Sequence, residues 1–120
     1  MKKMMLLMGL LLISPLIYAE EPIDTYTAKL SSEDHFNSNG ERLKSVADII
    51  RQDRANYHKF NVRDAEDQGD GFFGDADSRE RIPKMLKNGH IDKVAQKSIL
   101  NGSPVVTVSI YRNHIEVYLQ

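Results

Sequence analysis

The chain has no cysteine among its 120 residues, so it can be neither a disulfide-stapled secreted scaffold nor a lipoprotein tethered through an N-terminal cysteine. It must fold on its core alone. Also missing is the G-x-S-x-G elbow of serine hydrolases, and Ser103 sits in an ordinary Gly-Ser-Pro turn. Phosphate-cradling glycine motifs are absent as well, because Gly69, Gly71 and Gly74 lie among carboxylates that would repel an anion. His35, His58, His90 and His114 are separated by 23, 32 and 24 residues, and none forms a metal-ligand pair at helical or hairpin spacing. No internal repeat, low-complexity segment or interdomain linker interrupts the chain.

Long hydrophobic runs are equally scarce. The one apolar stretch, Met4 to Ile13, follows Lys2 and Lys3 and is ended by Ser14 and Pro15. It falls short of the roughly 20 residues a spanning helix needs and has the layout of a secretory leader. Residues 1–19 read as a signal peptide cut after Ala19, which predicts a periplasmic or secreted protein with no stable membrane insertion after cleavage. Residues 20–120 then form a single domain, long enough to bury a real core.

Removing Lys2 and Lys3 from the 16 basic side chains leaves 14 against 17 acidic ones, a net charge of −3 with histidines neutral. Nucleic-acid binding needs concentrated positive charge, so that partner class is disfavoured. The basic residues of the 42–63 segment alternate with acids and read as a solvated helical face.

Ile23 to Leu30 alternates like a half-buried strand, with Tyr26, Ala28 and Leu30 on one side. Ser31 to Gly40 reads as a polar loop. Ser38 and Glu41 stand at capping-box spacing and predict a long helix running to about Phe60, with Leu43, Val46, Ile50 and Tyr57 forming its apolar stripe and Ile49 and Phe60 along one edge. Asp53 falls in the middle of that stripe, with Arg54 at its margin. A buried carboxylate without partners costs several kcal/mol, so Asp53 must be hydrogen-bonded, paired or protonated.

Further on, Asp77 and Glu80 repeat the capping spacing, Pro83 suits the first turn of a helical segment, and Asn88-Gly89 predicts a left-handed stop. Another helix is expected over about Ile91 to Leu100, with Ile91, Val94, Ala95 and Ile99 on one face. Val105 to Tyr111 and Ile115 to Leu119 form a β-hairpin. A type I′ turn at Asn113-His114 would pair Ile110 with Val117 and Val108 with Leu119. The fold class that follows is α+β, a small, mostly antiparallel sheet (N-terminal strand plus C-terminal hairpin) packed against one long and two short helices.

The most unusual stretch is RDAEDQGDGFFGDAD, residues 63–77, with six carboxylates, three glycines and two adjacent phenylalanines. Matched to a calcium-binding loop from Asp64, it offers Asp64, Glu66, Gln68, Asp70 and Asp75 as oxygen donors and Gly69 at the sixth position. The match is partial, since Gly71 replaces the usual aliphatic residue and Asp75 the final glutamate. Alternatively, Phe72 and Phe73 dock onto the helices and the acids stay in water. In a third reading a Phe is an exposed anchor for a partner and the acids form its rim.

From these patterns the expected function is protein recognition in the bacterial envelope by a small exported binding protein, inhibitor- or immunity-like, with an unidentified protein partner and no cofactor. Its expected contact residues are Phe72, Phe73, Tyr111 and Tyr118. The alternatives are a calcium-binding module built on residues 64–75, and an acid–base enzyme using Asp53 and a histidine.

Overall fold

The computed structural model describes residues 20–120, so the leader read at residues 1–19 lies outside the described residues. Three strands, β1 (Asp24–Lys29), β2 (Val105–Ile110) and β3 (Ile115–Leu119), form an antiparallel sheet in the order β1-β2-β3. Four helices pack on one face of it: α1 (Val46–Ala55), α2 (Ala76–Glu80), α3 (Ile82–Lys87) and α4 (Lys93–Asn101). The domain is a small α+β fold, as the sequence pattern implies. No helix among the described residues is long and apolar enough to cross a membrane.

Alternation places Tyr26, Ala28, Val106, Val108, Ile110, Ile115 and Val117 on the inner face of the sheet, all fully buried. Ile49 and Ile50 of α1, Ile82 and Met85 of α3, Ile99 of α4 and Phe73 close the core from the helical side. The outer face carries hydroxyl-bearing and polar residues, among them Thr107 opposite Tyr118 and Ser109 opposite Glu116.

The hairpin forms in a register two residues away from the one expected. Ile110 pairs with Ile115 and Val108 with Val117, and Tyr111 and His114 close a two-residue turn at Arg112-Asn113. Because the shift is by two, every aliphatic side chain keeps its face. No turn residue has a positive φ, so the turn is not type I′. The rings of Tyr111 and His114 stack at 4.4 Å and 3° across the turn, and pairing the two isoleucines beneath them buries more apolar surface than the Asn-His turn would.

The long helix begins later than Ser38 suggests. Asn37 Oδ1 accepts the backbone N–H groups of Asn39 and Glu41, and Gly40 takes φ +80°. Residues 36–42 therefore fold back on themselves, joined by a bridge between Phe36 and Arg42. The true cap is Ser45, whose Oγ accepts from Asp48 N–H at 3.1 Å. Upstream, the expected loop contains a 3₁₀ turn, Ser32–His35. The His35 ring ties that turn to α4, with Nδ1 and Nε2 each 2.7 Å from the carbonyl oxygens of Ser31 and Ile99.

At its far end α1 widens into a π-helical turn, Asn56–Phe60, which stops at Asn61 in the left-handed region, φ 57°. That wider turn carries Phe60 out of the expected stripe, leaving it 46% exposed. The cap of α2 is Asp75 rather than Asp77, with Ser78 Oγ donating to its carboxylate at 2.7 Å. Pro83 occupies the first turn of α3, as expected. Helix α4 is capped by Asp92, which turns Val94 outward to 68% exposure instead of into the core.

Both edges of the sheet are covered, which removes open templates for strand addition. Along β1, Thr27 and Gln68 exchange backbone and side-chain bonds, and Lys29 N–H donates to Asp67 Oδ1 at 2.9 Å. Along β3, His90 donates to Ile115 O and accepts from Val117 N–H. Gly89, expected to end a helix through positive φ, serves this second edge instead. A Cβ there would lie 1.8 Å from Ile115 O, so only glycine lets the backbone approach β3. Gly89→Ala should therefore cost about 3 kcal/mol, read as a lower urea midpoint with an unchanged m-value.

Candidate functional site

Asp53 lies where its sequence position places it, buried in the helix–sheet interface at 1% exposure. Its neighbour Arg54, expected at the margin, is wholly buried as well. Arg54 Nε donates to Asp53 Oδ2 at 2.8 Å, and Nη1 donates to Asp70 Oδ1 at 2.8 Å and Gln68 O at 3.1 Å. The guanidinium stacks 3.8 Å above the Tyr26 ring and also faces Tyr57 at 4.8 Å. Tyr26 Oη and Arg54 Nη2 find no protein partner among the described residues.

Asp70 is the second anchor. Besides Arg54, its carboxylate accepts from His58 Nε2 at 2.7 Å, Phe72 N–H at 2.8 Å and Phe73 N–H at 2.6 Å. Burial works to raise this carboxyl, but the bonds from His58, Phe73, Arg54 and Phe72 outweigh it and hold it below its ordinary range. The π-helical turn aims His58 at Asp70 rather than at Asp53.

A third carboxyl, Asp34, sits at the end of the 3₁₀ turn, 3% exposed. Its Oδ2 accepts Ser31 N–H at 3.1 Å and its Oδ1 accepts Asn56 Nδ2 at 2.8 Å. Burial pushes Asp34 up to about 6, against hydrogen bonds from Asn56, Ser31 and Asp53. Burial likewise pushes Asp53 well above the ordinary carboxylate range, against the pull of Arg54 and with repulsion from Asp34 and Asp67 added. One buried guanidinium thus faces three buried carboxyls, and Asp34 and Asp53 hold a proton between them.

The acidic loop is structural along most of its length. Gln68 and Asp67 side chains cap the β1 edge, Asp64 N–H donates to Asp67 Oδ2, Asp70 is filled by four donors, and Asp75 caps α2. Asp64, Glu66, Gln68, Asp70 and Asp75 are not brought together as a ligand shell. Among the described residues no group of three or more acids or histidines is arranged to hold a metal ion.

Phe73, expected as an exposed anchor, is fully buried in the core, because Asp70 holds its N–H and turns the ring inward. Phe72 is half-buried, edge-on to Phe73 at 5.0 Å. Tyr111 is taken up by its stack on His114. Tyr118 remains 43% exposed, donating to Glu116 Oε1 at 2.8 Å.

The apolar surface that stays open lies elsewhere. Phe36, Phe60 and Val62, exposed by 39%, 46% and 43%, converge on a groove of about 430 Å³ whose remaining wall includes Glu33, Asn37, Gln52 and Asn56. Sequence periodicity assigned Phe60 to the core stripe and left Phe36 in a loop, so the groove had no signal in the pattern. Asp53 lies sealed beneath it, out of contact with solvent.

Comparison with known proteins finds no matching family model, no matching curated protein and no matching solved structure.

Replacing Arg54 with methionine leaves buried carboxylates without their cation, and should cost about 3–5 kcal/mol. Tyr26→Phe removes only an unpartnered hydroxyl and should leave stability within about 1 kcal/mol, the two being compared by urea unfolding. Millimolar calcium should leave the melting temperature unchanged, since the acidic loop's oxygens already serve protein donors. A rise that disappears in Asp64→Ala would restore the calcium reading.

Proposed function

We propose that the chain is a small exported binding protein that acts by recognising another protein in the bacterial envelope. Its contact surface on this reading is the groove lined by Phe36, Phe60 and Val62. The observation that carries the proposal is the gathering of these three partly exposed apolar side chains around one concavity, within a protein whose other aromatic pair, Phe72 and Phe73, is drawn inward. Isolated exposed apolar residues are ordinary, but a contiguous set rimmed by polar groups marks an interaction site.

The chemistry of the rim favours a protein side chain as occupant. Arg42 lies over the Phe36 ring at 5.5 Å and Lys59 over the Phe60 ring at 5.2 Å, so the aromatic faces turned away from the groove are already occupied by cations. The groove itself presents ring edges, the Val62 side chain and amides. An aromatic or aliphatic anchor from the partner fits this lining, with Asn37 and Glu33 at the margin for its polar surroundings. The leader read in residues 1–19 supports the envelope as the place of action.

A double variant, Phe36→Ser with Phe60→Ser, tests this. Both side chains are already partly in water, so stability should change little, by about 1 kcal/mol or less. Capture of a specific partner from envelope extract, followed by calorimetry with that purified partner, should show affinity reduced about a hundredfold. Tyr118→Ser should bind as the parent does. Equal affinity of the double variant and the parent would overturn the assignment.

A further inference from the structure

We propose that this groove is proton-gated: its walls keep their positions while Asp34 and Asp53 share one proton beneath the floor, and they loosen when that proton leaves. The inference rests on the groove being the binding surface, and adds how it is regulated. Its geometric basis is Asn56, a single residue that fastens both walls. Asn56 Nδ2 donates to Asp34 Oδ1 at 2.8 Å and to Glu33 O at 3.3 Å, on the side that leads to Phe36. Its carbonyl oxygen accepts the N–H groups of Asn61 and of Val62, the latter at 2.8 Å, on the side that carries Phe60. Gln52 Nε2, itself part of the groove, donates to Asn56 Oδ1 at 2.9 Å and fixes the amide's orientation.

The position of the proton follows from these bonds. Both Asp34 oxygens accept from N–H donors, Ser31 and Asn56, so Asp34 is the acceptor of the pair. Asp53 Oδ2 accepts from Arg54, which leaves Asp53 Oδ1 to carry the proton and donate it to Asp34. When it leaves, two carboxylates confront each other in a buried space. Arg54 is bonded to Asp53 and Asp70, not to Asp34, and Asp67 adds further repulsion to both members of the pair.

Other groups around the pair do not relieve this. Tyr26, facing it from β1, is kept neutral by burial. His58 bonds to Asp70, and His35 points away to the carbonyls of Ser31 and Ile99. The Glu33 carboxylate accepts from Ser31 Oγ. Asp34 therefore relaxes by turning from Asp53, and the Asn56 tie goes with it.

The sign follows from the direction of both shifts. Burial raises the folded pair above the ordinary carboxylate value of 3.8, to about 6 at Asp34. The network's contribution is complete below about pH 4 and is lost as pH rises through about 6 and above. Groove affinity should accordingly fall with rising pH.

The test uses the purified protein between pH 4.5 and 8, with 8-anilinonaphthalene-1-sulfonate as an apolar probe, and the Val62 methyl and Asn56 side-chain amide NMR signals as a ligand-free reading. Probe affinity should drop at least about threefold from pH 5 to 7.5, as linkage to one proton allows, and the NMR signals should move over the same range. Asp53→Asn, whose amide can accept from Arg54 and donate to Asp34 as protonated Asp53 does, should hold the low-pH affinity and signals throughout. Asp34→Asn should lose them at every pH, because its NH₂ would face the N–H of Ser31 or of Asn56.

NMR signals flat across the range in the parent protein, or the same transition persisting in Asp53→Asn, would overturn the gating. If the signals move but probe binding is indifferent to Phe36→Ser with Phe60→Ser, the gating of the walls stands and the binding surface is wrong. If binding needs both phenylalanines yet is independent of pH, the surface stands and the gating is wrong.

Discussion

Burying one arginine organises this domain. Arg54 joins three elements that otherwise have little reason to meet: α1, which carries it, β1, whose Tyr26 ring it covers, and the acidic loop, held through Asp70 and Gln68. Such a buried charge contributes little net stability, because desolvation offsets most of the attraction. Its effect is geometric, since a guanidinium with fixed donor directions accepts only one arrangement of its partners. Anchoring Asp70 positions Gln68 and Asp67, and those two side chains close the β1 edge. The sheet's protection from strand addition therefore depends on a charge one layer beneath it.

What the sequence made legible was everything that follows from period and parity. The inward set Tyr26, Ala28 and Leu30, the hairpin's shared aliphatic face, and Val46, Ile49 and Ile50 on the helix all lie where alternation and helical spacing put them. Asp53 was visible for the same reason, as a polar residue in an apolar row. Less accessible were features set by competition between local hydrogen bonds. Ser38 and Glu41 have cap spacing, but the Asn37 side chain reaches the same backbone donors first and makes a turn. Asn113-His114 suits a tight turn, but stacking of Tyr111 on His114 and pairing of Ile110 with Ile115 select another register.

The groove was hidden for a related reason. Its walls arise where the 3.6-residue period fails, in a π-helical turn and in a turned-back segment, so no wheel drawn at 100° per residue could bring Phe36 and Phe60 together. Arg54 was misplaced by a similar limit. A margin position on a wheel is exposed only if the neighbouring loop stays away, and here Asp70 draws that loop across it.

Perturbed carboxyls in a small protein usually suggest catalysis, because a proton held near neutrality is useful to a reacting group. That use requires the acid to reach a substrate, and Asp53 is sealed from solvent while its nearest histidine, His58, is committed to Asp70. A sealed proton can act only on its neighbours. Here those neighbours lead, through the Asn56 amide, to both sides of the one groove whose apolar lining the fold leaves open. Burial thus converts an acid unfit for chemistry into an element whose charge state is read as shape, and the same desolvation that bars substrate from Asp53 moves its ionisation to where external pH can act on it.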